Sequence, residues 1–105
     1  MRSPMVPYAQ KIKNRIEGQG ILNIIIVSKN EETEKLYLKC IKGRLKINKH
    51  KIKFSDKSNL DKVDPKRTIF LLCGPWWENE IIECEKFREL IKTSLWSYSL
   101  NDVGL

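Results

Sequence analysis

Two apolar stretches, ILNIIIV at residues 21–27 and RTIFLLC at residues 67–73, decide the fold of this chain. Both are short, and Gly20 precedes the first while Gly74 and Pro75 follow the second. A run that is apolar on both faces is typical of a central strand covered by helices on two sides. The sequence therefore predicts a sheet whose two middle strands are these segments.

Three other segments have the spacing and caps of helices. Residues 8–17 place apolar side chains on one face and bases on the other, which predicts a short leading helix. A second helix is predicted to end before Gly43, and it begins either at a capping box of Ser28 and Glu31 or after Asn30, an equally good N-cap. Residues 77–93 combine apolar helical spacing with early acids and late bases, which predicts a long third helix.

Residues 44–54 and 95–100 alternate apolar with polar side chains, which predicts two edge strands. The order βαββαβ then predicts a ferredoxin-like α+β sandwich with a short N-terminal helix. A small parallel, doubly wound sheet of flavodoxin-like type is the alternative, since it has the same central strands. Residues 56–66 favour the first arrangement, because parallel crossovers need a dozen or more residues that are usually helical. We expect one domain over residues 21–105, preceded by an extension at residues 1–20.

Length and composition narrow the class of protein. The 105 residues fit one domain, and a hydrophobic content of 41% is enough for a core. No apolar run approaches the ~18 residues of a membrane span, and no apolar segment follows the N-terminus as in a secretory signal. Cys40, Cys73 and Cys84 are odd in number and widely spaced, which is typical of reduced thiols. We expect an intracellular protein of cytoplasm or nucleus, neither secreted nor membrane-bound.

Charge is segregated along the chain. The net charge is +7, but residues 1–57 carry +9 and residues 58–105 carry −2. No acid lies between Lys35 and Ser55. Such a segment predicts a surface for the phosphates of nucleic acid, with RNA slightly favoured over DNA, or for an acidic protein partner. A solvated edge strand protected by lysines is the purely structural alternative. The candidate nucleic-acid contacts are Lys42, Arg44, Lys46, Lys49, Lys51 and Lys53.

The βαββαβ order with a basic second strand resembles an RNA-recognition motif. On that pattern, residues 21–26 and 67–74 are the two motif strands, and Arg67 is the basic opening of the second. The resemblance implies bases stacked on the central strands. Ile69 and Leu71 occupy the stacking places, and an aliphatic platform of this kind implies a protein interface instead.

A second resemblance is to a Toll/interleukin-receptor (TIR) domain. Its first strand resembles residues 24–28, and its third strand and next helix resemble residues 66–72 followed by Asn79, Glu80 and Glu85. This second resemblance implies a parallel doubly wound sheet and an adaptor module that binds proteins or a second copy of itself. In enzymatic members, a glutamate at the place of Glu85 cleaves NAD. On an exposed helical face, Glu85 is expected to be an ordinary surface acid.

The tryptophans are the remaining candidates for a binding role. Trp76 is expected to be exposed near Trp96, and both can stack a base or anchor a partner, while Trp77 is expected on the buried face of its helix. Cys73 is expected to be a buried thiol at the end of its strand. His50 is the only histidine, so the sequence offers no catalytic constellation, no metal site and no cofactor motif. These features favour a binding module over an enzyme.

Overall fold

A computed structural model gives the backbone of residues 5–100 and the side chains of residues 8–100. Residues 1–4 of the predicted extension and residues 101–105 of the predicted domain lie outside this part. The helices are α1 (Met5–Ile16), α2 (Glu31–Lys42), α3 (Lys57–Leu60) and α4 (Glu85–Thr93), and the strands are β1 (Asn23–Val27), β2 (Lys51–Phe54), β3 (Thr68–Cys73) and β4 (Trp96–Leu100). Short 3₁₀ turns cover Pro65–Arg67, Trp76–Glu78 and Glu80–Glu83.

The strands form one sheet in the order β2-β1-β3-β4, and every pair is parallel. Ile24 of β1 lies in register with Ile52 on one side and Ile69 on the other, and Leu71 lies beside Tyr98. The predicted central strands and edge strands are therefore confirmed, and the chain is an α/β domain.

The ferredoxin-like arrangement is not confirmed, because that fold needs antiparallel neighbours and none of the strand pairs within residues 5–100 is antiparallel. From β2 the chain crosses to the far side of β1 within residues 55–67. Two turns make this short crossover possible: Asp56 caps α3 and Asp64 caps the turn at Pro65–Arg67. Leu60 is 1% exposed and holds the crossover against the sheet. A polar stretch without apolar periodicity thus makes the crossover through two capped turns and one buried leucine.

Both faces of the sheet are buried. Ile24 and Ile26 point towards α1 and α2, while Ile25 and Val27 point towards α3 and α4. The alternation of side chains along a strand places every second residue in each layer. Ile69 and Leu71 lie under α1 and α2, fully buried. The predicted aliphatic platform is therefore wrong as an interface, since helices already cover it.

Two predicted elements are shorter in the structure. Residues 44–50 form a loop that buries Leu45 and Ile47, so only Lys51–Phe54 of the predicted strand pairs with β1. The predicted helix over residues 77–93 is α-helical only from Glu85. Asn79 and Cys84 both interrupt it with extended backbone, and the Asn79 side chain caps the short turn between them.

Candidate functional site

The two ends of the sheet carry opposite charges. We call the end where the strands begin the amino edge and the other end the carboxyl edge. Because every strand is parallel, α2 and α4 both start at the carboxyl edge and end at the amino edge. Acids are favoured in the first turn of a helix and bases in the last turn. The acids of both helices therefore lie at the carboxyl edge, and the bases lie at the amino edge. First-turn acids are Glu31, Glu32, Glu34 and Glu85, and last-turn bases are Lys13, Arg15, Lys39, Lys42 and Lys92.

A cleft of about 450 Å³, the loop cleft, lies between the end of α1 and the loop at residues 43–50. Its basic side chains are Lys13 from α1 and Arg44, Lys46 and Lys49 from the loop, and its one acid is Glu17. The buried Leu45 and Ile47 fix the loop on the core, so the intervening bases project outward. The sequence alternation of this loop therefore positions charge without forming a strand.

His50 forms part of the wall of the loop cleft and is 5% exposed. Its Nδ1 accepts a hydrogen bond of 3.0 Å from the backbone N–H of Leu22. The neutral ring therefore carries its proton on Nε2, which has no hydrogen-bond partner among the described residues. Burial lowers the pKa of His50, and the charges of Lys49 and Arg67 lower it further. The ring therefore holds a neutral N–H donor that is itself buried and has no partner among the described residues.

A second cleft of about 410 Å³, the strand cleft, opens beside β2. Lys51 and Lys53 reach it from alternate positions of the strand, Lys62 and Arg67 reach it from the crossover, and Asp64 is its one acid. The guanidinium of Arg67 donates to the carbonyls of residues 19 and 21 and is thereby fixed in place. The strand cleft therefore combines one immobilised cation with three lysines.

The structure brings five of the six predicted contacts into these two clefts at the amino edge. Lys42 lines neither cleft but lies exposed in the last turn of α2, at the same edge. Sequence reasoning missed Lys13 and Lys62 and assigned Arg67 only a motif role. Nothing in the local sequence marks these residues, because they reach the site from the helix before β1 and the crossover after β2.

The two candidate tryptophans do not form one patch. Trp76 follows the end of β3, is half-buried, and meets Trp77 edge to face with ring centres 6.1 Å apart. Trp77 is 51% exposed, so the predicted exposure of these neighbours is reversed. Trp96 begins β4 on the opposite face and stacks on Tyr98 at 4.8 Å. The Arg15 guanidinium lies 5.8 Å from the ring centre of Trp96, at the amino edge.

At the carboxyl edge, a buried acid ties three segments together. Glu34 is 0% exposed and accepts hydrogen bonds from the backbone N–H groups of Ser28 and Ser55, at 3.0 and 3.1 Å. Its carboxylate also accepts from the Ser55 hydroxyl and the Asn79 amide. Asn79 donates in addition to the Ser28 carbonyl at 2.7 Å. The sequence does offer a signal for Glu34, since it shares one helical stripe with Tyr37 and Ile41.

Open parallel sheets usually bind ligands in the crevice at the carboxyl edge where the strand order reverses. Here that position lies between β1 and β3, where the Asn79 amide bonds the Ser28 carbonyl and Tyr37 packs against Gly74. Gly74 has a φ of +55°, and a Cβ there would lie 2.6 Å from the Tyr37 hydroxyl. Cys73 is buried as expected, and burial, with a smaller effect of the Glu34 charge, strongly raises the pKa of its thiol. Glu85 is an exposed residue at the start of α4, apart from this network.

The fold and the two clefts define an α/β domain with a four-stranded parallel sheet and a basic amino edge. No family model, curated protein or solved structure matches the chain. The resemblances to the RNA-recognition motif and the TIR domain are therefore not supported by any match. Within residues 5–100, no group of three or more metal-ligating side chains lies together. None of the helices described there combines the length and apolar character needed to cross a membrane.

Proposed function

We propose that the protein binds nucleic acid by contacting phosphates along its amino edge, with RNA slightly favoured over DNA. The observation that carries the proposal is the pair of basic clefts. Each contains four lysine or arginine side chains and one acid. Phosphate contacts of this kind dominate the affinity of proteins for nucleic acids and carry no sequence information by themselves.

The position of the cations supports binding over simple edge protection. Lysines that prevent sheet extension need to lie on the edge strand, as Lys51 and Lys53 do. Lys13, Lys46 and Lys62 lie on a helix, a loop and a crossover, where no strand edge needs protection. Their convergence on two clefts concentrates positive potential where a polyanion can reach several of them at once.

His50 adds a donor that does not depend on charge. Its Nε2–H has no partner among the residues with described side chains, and its ring forms part of the wall of the loop cleft. Buried polar groups are normally hydrogen-bonded. Because the Nε2 atom is buried, a phosphate oxygen in the loop cleft would reach this donor only after neighbouring side chains move, while Lys46 and Lys49 would neutralise the phosphate charge.

The test compares two variants with the same net charge. Lys46→Ala/Lys49→Ala removes two cations from the loop cleft, and Lys29→Ala/Lys57→Ala removes two exposed cations from the opposite edge. Fluorescence anisotropy with labelled single- and double-stranded RNA and DNA gives Kd over a range of salt. We expect the first variant to shallow the slope of log K against log salt by about 1.4–1.8, and the control to leave it nearly unchanged.

Absence of binding to every probe at low salt would refute the proposal. Equal loss in the two variants would also refute it, because that outcome would trace the affinity to net charge rather than to the clefts. A stronger loss is expected for Lys51→Glu/Lys53→Glu, since charge reversal replaces attraction in the strand cleft by repulsion.

A further inference from the structure

A third cleft, the side cleft, has a volume of about 340 Å³ and lies between α1 and the start of β4. Its lining side chains are the bases Lys11 and Arg15, the amide of Asn14 and the indole of Trp96. Proteins that bind single-stranded nucleic acid combine such groups, because cations contact the phosphates and aromatic rings stack on the bases. The side cleft therefore places both kinds of group together at the amino edge.

The Trp96 ring is held in position by its neighbours. Tyr98 stacks on it with the ring centres 4.8 Å apart and the planes 15° apart, and Tyr8 of α1 contacts Tyr98 with ring centres 5.7 Å apart. Trp96 is also packed against the core beneath α1. Because the ring is already ordered, little side-chain freedom is lost when a base stacks on it.

The contact between Arg15 and Trp96 is loose enough to be replaced by a base. The guanidinium lies 5.8 Å from the ring centre, close to the outer limit of about 6 Å for a cation–π contact. Arg15 is exposed, and its guanidinium also donates to the Leu95 carbonyl at 3.3 Å. Since both contacts are long, the side chain can turn to a phosphate oxygen when a base occupies the ring.

Helix α1 lies between the side cleft and the loop cleft. Lys11 and Arg15 are four residues apart and share one face of the helix, which lines the side cleft. Lys13 lines the loop cleft instead. A helix with its side chains is about 10–12 Å across, so one strand of nucleic acid can pass over the last turn of α1 and reach both clefts.

We propose that the nucleic acid bound at the amino edge is single-stranded and that one of its bases stacks on Trp96 in the side cleft. This inference rests on the proposed function and names its substrate class. Bases of a duplex are stacked on each other and must be unstacked before they reach the indole, whereas bases of a single strand are accessible. Asn14 Oδ1 accepts from Gln10 at 3.0 Å, so the amide nitrogen of Asn14 is the group that can donate to the edge of the base.

The test uses the full chain and labelled single strands and duplexes of equal length in fluorescence anisotropy, with RNA and DNA probes so that the two sources of a single strand are distinguished. We expect the unaltered chain to prefer single strands. Trp96→Ala should weaken single-strand binding by about 5- to 150-fold, the range for the loss of one stacked base, and duplex binding by less than about twofold. The slope of log K against log salt should not change, because Trp96→Ala removes no cation.

Trp77→Ala is the matched control, since it removes an indole that is 51% exposed but lies at the carboxyl edge. It should leave both affinities nearly unchanged.

Fluorescence quenching tests the stacking without altering Trp96, even where Trp96→Ala folds poorly. Trp76→Phe/Trp77→Phe leaves Trp96 as the only tryptophan, because the chain contains three. A base stacked on an indole quenches its emission. We therefore expect unlabelled single strands to quench Trp96 with the same midpoint as in anisotropy, and duplexes to quench it much less.

A failure of stacking is distinguishable from a failure of phosphate binding. Three results would overturn the stacking of a base on Trp96 while leaving the phosphate contacts in place: binding of single strands without quenching, equal losses for Trp96→Ala and Trp77→Ala, or a preference of the unaltered chain for duplexes. Absence of binding to every probe at low salt would refute the proposed function and the base site together.

Discussion

Replacing Glu34 by alanine tests whether the buried carboxylate holds the carboxyl edge together. The substitution removes the acceptor for the backbone N–H groups of Ser28 and Ser55 and for the Asn79 amide. Ser28 is fully buried, so water does not readily replace the lost bond. Hydrogen bonds to a charged group contribute about 1.5–3 kcal/mol each, and a buried donor left without a partner costs about 1–3 kcal/mol.

Two buried or partly buried backbone donors therefore predict that Glu34→Ala lowers the free energy of unfolding by about 3–5 kcal/mol. That is a large part of the 5–15 kcal/mol available to a typical domain. Urea unfolding followed by circular dichroism measures the change. With an m-value of about 1.5 kcal/mol per M, the midpoint should fall by about 2–3 M.

Two control variants separate the network from general effects on α2. Glu31→Ala removes an exposed acid one turn earlier and should change stability by less than about 0.5 kcal/mol. Ser28→Ala keeps the N–H bond to Glu34 but removes a buried hydroxyl that has no partner among the described residues, so it should be neutral or slightly stabilising. If Glu34→Ala unfolded within 0.5 kcal/mol of the unaltered chain, the reasoning would be refuted.

Three further predictions follow from other contacts. Gly74→Ala should lower the free energy of unfolding by about 2–4 kcal/mol, because the φ of Gly74 is positive and the new Cβ would meet the Tyr37 hydroxyl. Adding Tyr37→Phe to this variant should restore part of the loss. Strictly additive effects of the two substitutions in denaturant melts would contradict the contact. Burial lowers the pKa of His50 below 6.5, so its contribution to stability is complete above that pH and is lost as the pH falls through the lower pKa of the folded state. His50→Gln should therefore flatten the dependence of Tm on pH in this range. An unchanged profile would exclude His50 as the source of that dependence. Lys11 lies 5.7 Å from the ring centre of Tyr98, so Lys11→Gln should lower the free energy of unfolding by about 0.5 kcal/mol in denaturant melts, and an unchanged value would show that this contact does not stabilise the fold.

Much of the fold can be predicted from local patterns, because those patterns report burial directly. The apolar runs around Ile24 and Leu71 identify the central strands, and alternation identifies the edges at β2 and β4. Of the two N-caps that the sequence offers for α2, the structure uses Asn30, whose side chain accepts from the Thr33 N–H at 2.9 Å. Each of these features depends on residues that are neighbours in sequence.

The candidate site could be predicted only in part. The acid-free segment identifies Lys46 and Lys49 as basic and exposed, but not Lys13 or Lys62, which reach the clefts from distant elements. The sequence also did not indicate that the predicted helix over residues 77–93 is broken. The Asn79 amide donates hydrogen bonds to the Ser28 carbonyl and to Glu34. The helical spacing of residues 77–93 cannot indicate partners that are so distant in sequence.

The sequence by itself determined which segments are buried, which are edges, and that α2 and α4 start with acids and end with bases. Only the tertiary structure decided the direction of the strands, because an apolar strand can pair in either direction and a short polar crossover does not show which. That decision has an electrostatic consequence. Since all strands are parallel, the end charges of α2 and α4 add instead of cancelling, and a modest net charge becomes a basic edge opposite an acidic one.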